Sequence, residues 1–140
     1  MRTLWKSVVL LAALLSVFTP APAQAQAQAP APPPGQYVTT LLGTYGFGRA
    51  AVIGQSGRQT GAWRSFSVRS GFAGDDLSIT YKPATSPSRA ETQVYTAAFN
   101  QVRDAGAECE KVGRDGVARR VWVSYRCRTG IVASYSLLVR

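Results

Sequence analysis

The reactive side chains of this 140-residue chain are two cysteines, seven carboxylates and a concentration of arginines near the C-terminus; histidine is absent. Without histidine the chain lacks the usual general base near neutral pH, the Ser–His and Cys–His nucleophile pairs and most zinc sites. Its serines have no imidazole to activate them, and no S-x-x-K spacing pairs one with Lys82 or Lys111. Glu108 and Glu110 flank Cys109. On a strand they would share one face about 7 Å apart, which suits a two-carboxylate glycosidase. No second acidic cluster frames a cleft around them, and pairing with arginines of a neighbouring strand is the ordinary use. Asp75-Asp76 supplies too few oxygens for calcium, which takes about six to eight, and reads as a turn cap. Gly43 to Arg49 matches neither phosphate-loop nor dinucleotide spacing and reads as a turn. The expectation is a protein without catalysis, cofactor or metal.

Arginine chemistry is the more suggestive signal. Arg114, Arg119, Arg120, Arg126 and Arg128 stand against Asp115 alone within residues 114–128. On a strand over Val117–Arg128, alternation sends Val117, Arg119, Val121, Val123, Tyr125 and Cys127 to one, mostly apolar, face. Arg120, Trp122, Arg126 and Arg128 then share the other. Guanidinium groups fork onto phosphate or sulfate and an indole stacks on a base or sugar ring, so these four residues are the candidate ligand-binding set. Arg64, Arg69 and Lys82 are possible neighbours. The partner implied is an anionic polymer or an anionic envelope surface. The competing use is a charged strand edge that resists aggregation. A second class of function is a protein–protein module, such as an inhibitor or envelope accessory protein. It would use Trp122, Tyr125 or the glycine-rich loops at 43–48 and 54–61.

The elements that must position these residues begin after an export signal. Arg2 and Lys6 precede an apolar run from Ser7 to Phe18, then alternating Ala-x-Ala positions, the three parts of a secretory signal peptide over residues 1–25. Twelve apolar residues give about 18 Å of helix, short of a hydrocarbon core of about 30 Å. Residues 26–35, rich in Pro, Ala and Gln, read as a disordered tether, leaving one small domain over 36–140 in a secreted or periplasmic protein. The formal charge of +9 falls by two when Arg2 and Lys6 leave with the signal. Export implies an oxidising compartment, so Cys109 and Cys127 are expected to form one structural disulfide.

Within the domain, Tyr37–Leu42, Arg49–Ile53, Trp63–Ser70 and Leu77–Lys82 read as glycine-punctuated strands. A helix is expected over Pro87–Ala105, from the capping signals at Ser86–Glu91 and the apolar spacing of Val94, Tyr95, Ala98, Phe99 and Val102. Ala107–Val112 reads as a short strand, Gly113–Gly116 as a turn, and Val117–Arg128 with Ile131–Val139 as a hairpin. A tight turn at 113–116 would hold Cys109 and Cys127 too far apart for a bridge, so the bridge is kept and the first pairing loosened. The resulting class is α+β: a small antiparallel sheet of β-meander, one helix and β-hairpin, with the helix packed on one face. No internal repeat is found.

Overall fold

Two tryptophans, Trp63 and Trp122, organise the chain. Each is buried, and each indole Nε1 donates back to a carbonyl in the middle of the preceding helix: Trp63 to Gly54 at 2.8 Å and Trp122 to Gly113 at 2.9 Å. One turn further along each helix, Gly57 and Gly116 lie so close that a Cβ there would overlap the Trp63 and Trp122 rings. Gly54 and Gly113 make the same room for Phe66 and Tyr125. The glycines are sockets that let an aromatic ring lie flat against a helix backbone.

This computed structural model describes residues 35–130 and 132–140. The expected signal peptide and nearly all of the tether lie outside the described residues. The element order is β1 (Val38–Tyr45), α1 (Arg49–Gln59), β2 (Ser65–Ser70), β3 (Asp75–Tyr81), β4 (Thr92–Ala97), α2 (Ala105–Ala118), β5 (Tyr125–Thr129) and β6 (Tyr135–Val139). The strands form two antiparallel three-stranded sheets, ordered β1-β3-β2 and β4-β6-β5. The class is α+β, as expected.

The same βαββ unit therefore occurs twice, and the match extends to single residues. Gly54, Gly57, Trp63 and Phe66 correspond to Gly113, Gly116, Trp122 and Tyr125 at a constant offset. Both first strands carry a register shift at the same place, between Leu41 and Gly43 and between Gln93 and Tyr95. Both helices end in the same hydrogen-bonded turn, with Ala62 N–H to Gly57 O and Gly61 N–H to Arg58 O matched by Val121 to Gly116 and Arg120 to Val117. This is the Schellman ending, which places its C′ residue in the left-handed region. The reading that the chain has no internal repeat is thus corrected.

The duplication also explains the misplaced elements. The helix expected over 87–105 is strand β4. Its register shift lets the consecutive residues Val94 and Tyr95 both face the core, and that interruption of strand alternation imitates helical spacing. The strand expected at Arg49–Ile53 opens α1, and the one at Ala107–Val112 lies within α2. Glycines inside both helices read as turns because glycine is a poor helix former, a cost the aromatic packing offsets.

Each helix packs on its own sheet and reaches the first strand of the other repeat, α1 to β4 and α2 to β1. The buried cluster runs through both halves, from Leu42, Ile53, Leu77 and Ile79 to Tyr95, Val112 and Leu137, and the two tryptophan rings meet at 6.4 Å. A buried polar joint sits beside it. Arg49, the first residue of α1, donates from Nε and Nη2 to the Glu108 carboxylate of α2 at 2.9–3.2 Å. Tyr95 is hydrogen-bonded to both partners. Burial works against the Arg49 charge, but the bonds to Glu108 and Tyr95 outweigh it and raise the guanidinium pKa. The bridge Cys109–Cys127 ties α2 to β5 across a Cα separation of 6.1 Å. The steric conflict expected from the sequence disappears because Cys109 lies on a helix.

Candidate anion-binding surface

Because side chains alternate along a strand, β5 sends Tyr125 and Cys127 toward α2 and Arg126 and Arg128 to the open side of the second sheet. Of the four residues expected to share one face, these two do. Trp122 does not: its ring is 3% exposed and fills the Gly113–Gly116 socket. Arg120 does not either. It lies in the turn after α2 rather than on a strand, at φ 59°. The alternation of residues 117–128 applies only from Tyr125 onward, since α2 runs through Ala118.

Arg140, which sequence reasoning passed over, joins the open face. Its backbone N–H bonds to Ser124 O at 2.9 Å, extending the β5–β6 ladder, and its side chain lies beside Glu91. Arg126 Nη2 contacts Glu91 Oε2 at 2.5 Å and Arg140 Nε lies 3.6 Å from Oε1. The hydrogen bond from Arg126, reinforced by Arg140 and Arg128, holds the Glu91 carboxyl below the usual carboxylate range. Shallow depressions flank Leu138 on this face, one lined by Glu91, Arg126 and Arg140, the other by Gln93, Arg128 and Ser136.

The first repeat shows what the scaffold needs at these positions. Ser67, Arg69 and Thr80 stand where the second repeat has Arg126, Arg128 and Arg140. Thr39 and Thr80 form a hydroxyl pair at 2.8 Å where Glu91 meets Arg140. Serine and threonine therefore serve the same sheet geometry where the second repeat has Arg126 and Arg140, while an arginine stands at the third position in both repeats. Arg126 and Arg140, with Glu91 beside them, are charged additions to the second repeat, not a requirement of the fold.

Arg120 is engaged away from this face through its backbone. Its carbonyl accepts from Ala84 N–H at 2.7 Å, and the Tyr81 hydroxyl donates to Arg119 O. Burial pushes the Tyr81 phenol pKa up, while the charges of Arg119 and Arg120 pull it back. Next to Tyr81 in sequence, Lys82 places its ammonium 5.1 Å from the centroid of the Tyr37 ring. Arg64 holds its guanidinium carbon over that ring, also at 5.1 Å. Two of the neighbours expected for a single basic face thus gather at Tyr37 instead. Arg69 lies on the outer face of the first sheet.

The acidic side chains are engaged elsewhere. Asp75 accepts from Gly48 N–H at 2.6 Å and Asp76 from Thr44 at 2.5 Å, so the pair braces the end of β1 and the turn into α1 rather than a turn of its own. Glu108 is buried in the joint with Arg49, while Glu110 accepts from the Tyr125 hydroxyl at 2.8 Å. Two residues apart on a helix, they point to different sides and do not face each other across a cleft. Asp104 caps α2 through Ala107 N–H at 2.8 Å, and Asp115 accepts from Tyr45 and Lys111. Every carboxylate among the described residues therefore has an internal donor. Among the described residues, only Arg49, Lys111, Arg126 and Arg140 of the cations have a carboxylate within 4.0 Å. Among the described residues, no group of His, Cys, Asp and Glu is placed to hold a metal ion, and no helix is long and apolar enough to cross a membrane. Comparison with protein-family models, curated proteins and solved structures finds no match to this chain.

Proposed function

We propose that the protein is an exported, non-catalytic binding module that engages an anionic polymer or anionic envelope surface through the open face of its second sheet. Arg126, Arg128 and Arg140 supply forked donors to phosphate or sulfate groups, and Leu138 gives a flat apolar floor between them. Glu91 holds Arg126 and Arg140 in place and yields them when a stronger anion arrives. The observation that carries the reading is the internal comparison, in which identical sheet geometry in the first repeat is built with Ser67 and Thr80. Long-range attraction is supplied by the surplus of cations without carboxylate partners.

The test transplants the first repeat's residues: Glu91→Thr, Arg126→Ser and Arg140→Thr together. This changes net charge by one unit, as does Arg58→Ser on α1, which serves as the control. On immobilised heparin the transplant is expected to elute at clearly lower salt than the control. Equal elution of the two variants would sink the proposal.

A protein partner is the second reading, favoured by apolar side chains at the loop ends. Phe47 and Phe72 are 70% and 106% exposed at one end of the first sheet, where their loops meet through Gly48 and Asp75. Phe99 and Val132, each 54% exposed, occupy the matching loops of the second repeat. Binding through these tips would weaken little with salt, whereas binding through arginines falls steeply.

A further inference from the structure

The exposed apolar side chains at the loop tips occur in matched pairs. Phe47 and Phe99 each lie two residues past the end of the first strand of their repeat, and both are exposed. Phe72 and Val132 stand in the β2–β3 and β5–β6 hairpins, and both are exposed. An arginine precedes each hairpin at the same place, since Arg69 and Arg128 are the penultimate residues of β2 and β5. Side chains this exposed support little packing, so the fold does not demand them. Apolar residues scattered singly on a surface need no explanation, but a pattern kept in both copies does. Other outward positions have diverged, as at Ser67 and Arg126, yet the apolar tip and the arginine below it persist.

The tips share one end of the molecule. The loops of Phe47 and Phe72 are joined by the bond from Gly48 N–H to Asp75. Phe99 and Ala133, the neighbour of Val132, line one shallow depression. Arg49, the first residue of α1, is bonded to Glu108 in the first turn of α2, and past the opposite ends of the helices Trp63 meets Trp122. The two helices therefore run in the same direction, and the loops that enter them open toward the same side.

Shape and charge select the occupant. Hot spots of protein interfaces cluster and fill pockets, whereas these side chains protrude from separate loops, and nothing covers Phe72. Hydrocarbon takes up separate tips without shape complementarity, and binding grows with the apolar area buried and with attraction to anionic headgroups. Arg69 lies three residues before Phe72, about 10 Å along the strand, which is headgroup depth when the tip enters by about 5–10 Å. Neither Arg69 nor Arg128 has a carboxylate within 4.0 Å among the described residues. Asp75 and Asp76, at the base of the first pair of tips, are turned inward to Gly48 and Thr44. The formal charge of the chain is +9.

We propose that this end of the molecule docks on an anionic lipid bilayer, with Phe47, Phe72, Phe99 and Val132 entering the apolar layer and Arg69 and Arg128 engaging lipid phosphates. Arg128 alone is shared with the open face of the second sheet. Glu91 precedes β4 and Arg140 follows β6, so both stand at the end of that sheet away from the β5–β6 hairpin.

The core and both sheets lie within residues 38–139, so the oxidised protein is prepared from Gly35 onward, without the apolar run at residues 7–18 that would itself bind lipid. The probe is vesicles of equal parts phosphatidylglycerol and phosphatidylcholine, and binding is read by co-sedimentation. Phe47→Ser/Phe72→Ser is expected to weaken binding at least about tenfold with Tm unchanged. Arg69→Ser is expected to weaken it about fivefold, and vesicles of phosphatidylcholine alone at least about tenfold. Phe72→Trp is expected to give blue-shifted emission on vesicles and quenching by brominated lipid, against the constant background of the buried Trp63 and Trp122. The Glu91→Thr/Arg126→Ser/Arg140→Thr transplant is expected to keep this blue shift when built into Phe72→Trp, so the bilayer end and the sheet face succeed or fail separately. Wild-type binding by Phe47→Ser/Phe72→Ser, or Phe72→Trp emission that stays red at saturating vesicles, would overturn the proposal. Absence of vesicle binding would overturn it too and leave the tips to a protein partner.

Discussion

Glu108→Gln is the most informative single change to the scaffold. The Arg49 and Glu108 side chains are 10% and 8% exposed, and the Arg49 guanidinium meets the carboxylate through both Nε and Nη2. The amide keeps the shape and one acceptor oxygen but removes the charge that compensates a buried guanidinium. Breaking one side of a buried pair costs about 3–5 kcal/mol. For a domain whose total stability is about 5–15 kcal/mol, this is a large fraction of the whole. Urea unfolding followed by tryptophan fluorescence should show the midpoint falling by that amount divided by the slope, with the slope itself unchanged. Replacing the set with apolar residues, Arg49→Met, Glu108→Leu and Tyr95→Phe together, should recover most of the loss, because no buried donor or acceptor is left unpaired. Tyr95 must be included, since its hydroxyl would otherwise lose both partners. A Glu108→Gln cost below about 1 kcal/mol, or an apolar triple variant no more stable than the single one, would refute the description of this joint as a buried compensated charge.

Other expectations follow from the duplicated design. Gly57→Ala and Gly116→Ala should each destabilise by about 1–3 kcal/mol despite better helix propensity, with red-shifted tryptophan emission as the ring leaves its socket. Replacing Cys109 and Cys127 by Ala and Val, the residues Ala50 and Val68 that stand there in the first repeat, should cost about 3 kcal/mol yet preserve the circular dichroism spectrum. Burial raises the Tyr45 and Tyr95 phenol pKa values, and the neighbouring Asp115 and Glu108 carboxylates add to it. A raised folded-state pKa stabilises below the unfolded value of about 10 and is lost as pH climbs beyond it. Urea midpoints should therefore hold up to about pH 10 and fall above it, less steeply in Tyr45→Phe/Tyr95→Phe.

The class α+β, most of the strands and the Cys109–Cys127 bridge are legible from residue patterns, since alternation and cysteine count act locally. The duplication is written in the sequence too, as Gly-x-x-Gly-x5-Trp-x-x-aromatic, read once at Gly54–Phe66 and again at Gly113–Tyr125. It escapes a reading by secondary-structure signals because a glycine that accepts an indole ring looks like a glycine that makes a turn. Val94 and Tyr95 mislead for a related reason: a bulge places both inside, and two adjacent buried residues imitate a helical face. Of the candidate site, Arg126 and Arg128 follow from alternation within β5. Trp122 and Arg120 do not, because a helix end and a connecting segment occupy what reads as the first half of a strand. Arg140 and the Tyr37 cluster depend on contacts between distant segments, to which no local spacing gives access.

The most direct test of the sheet face as an anion-binding surface is the salt dependence of affinity for labelled duplex DNA. Each phosphate neutralised contributes about 0.9 to the slope of log affinity against log salt. Arg126→Ser/Arg128→Ser/Arg140→Thr should bind more weakly and with a slope lower by about 2–3 than the wild type. Identical slopes and affinities would contradict the assignment of this face.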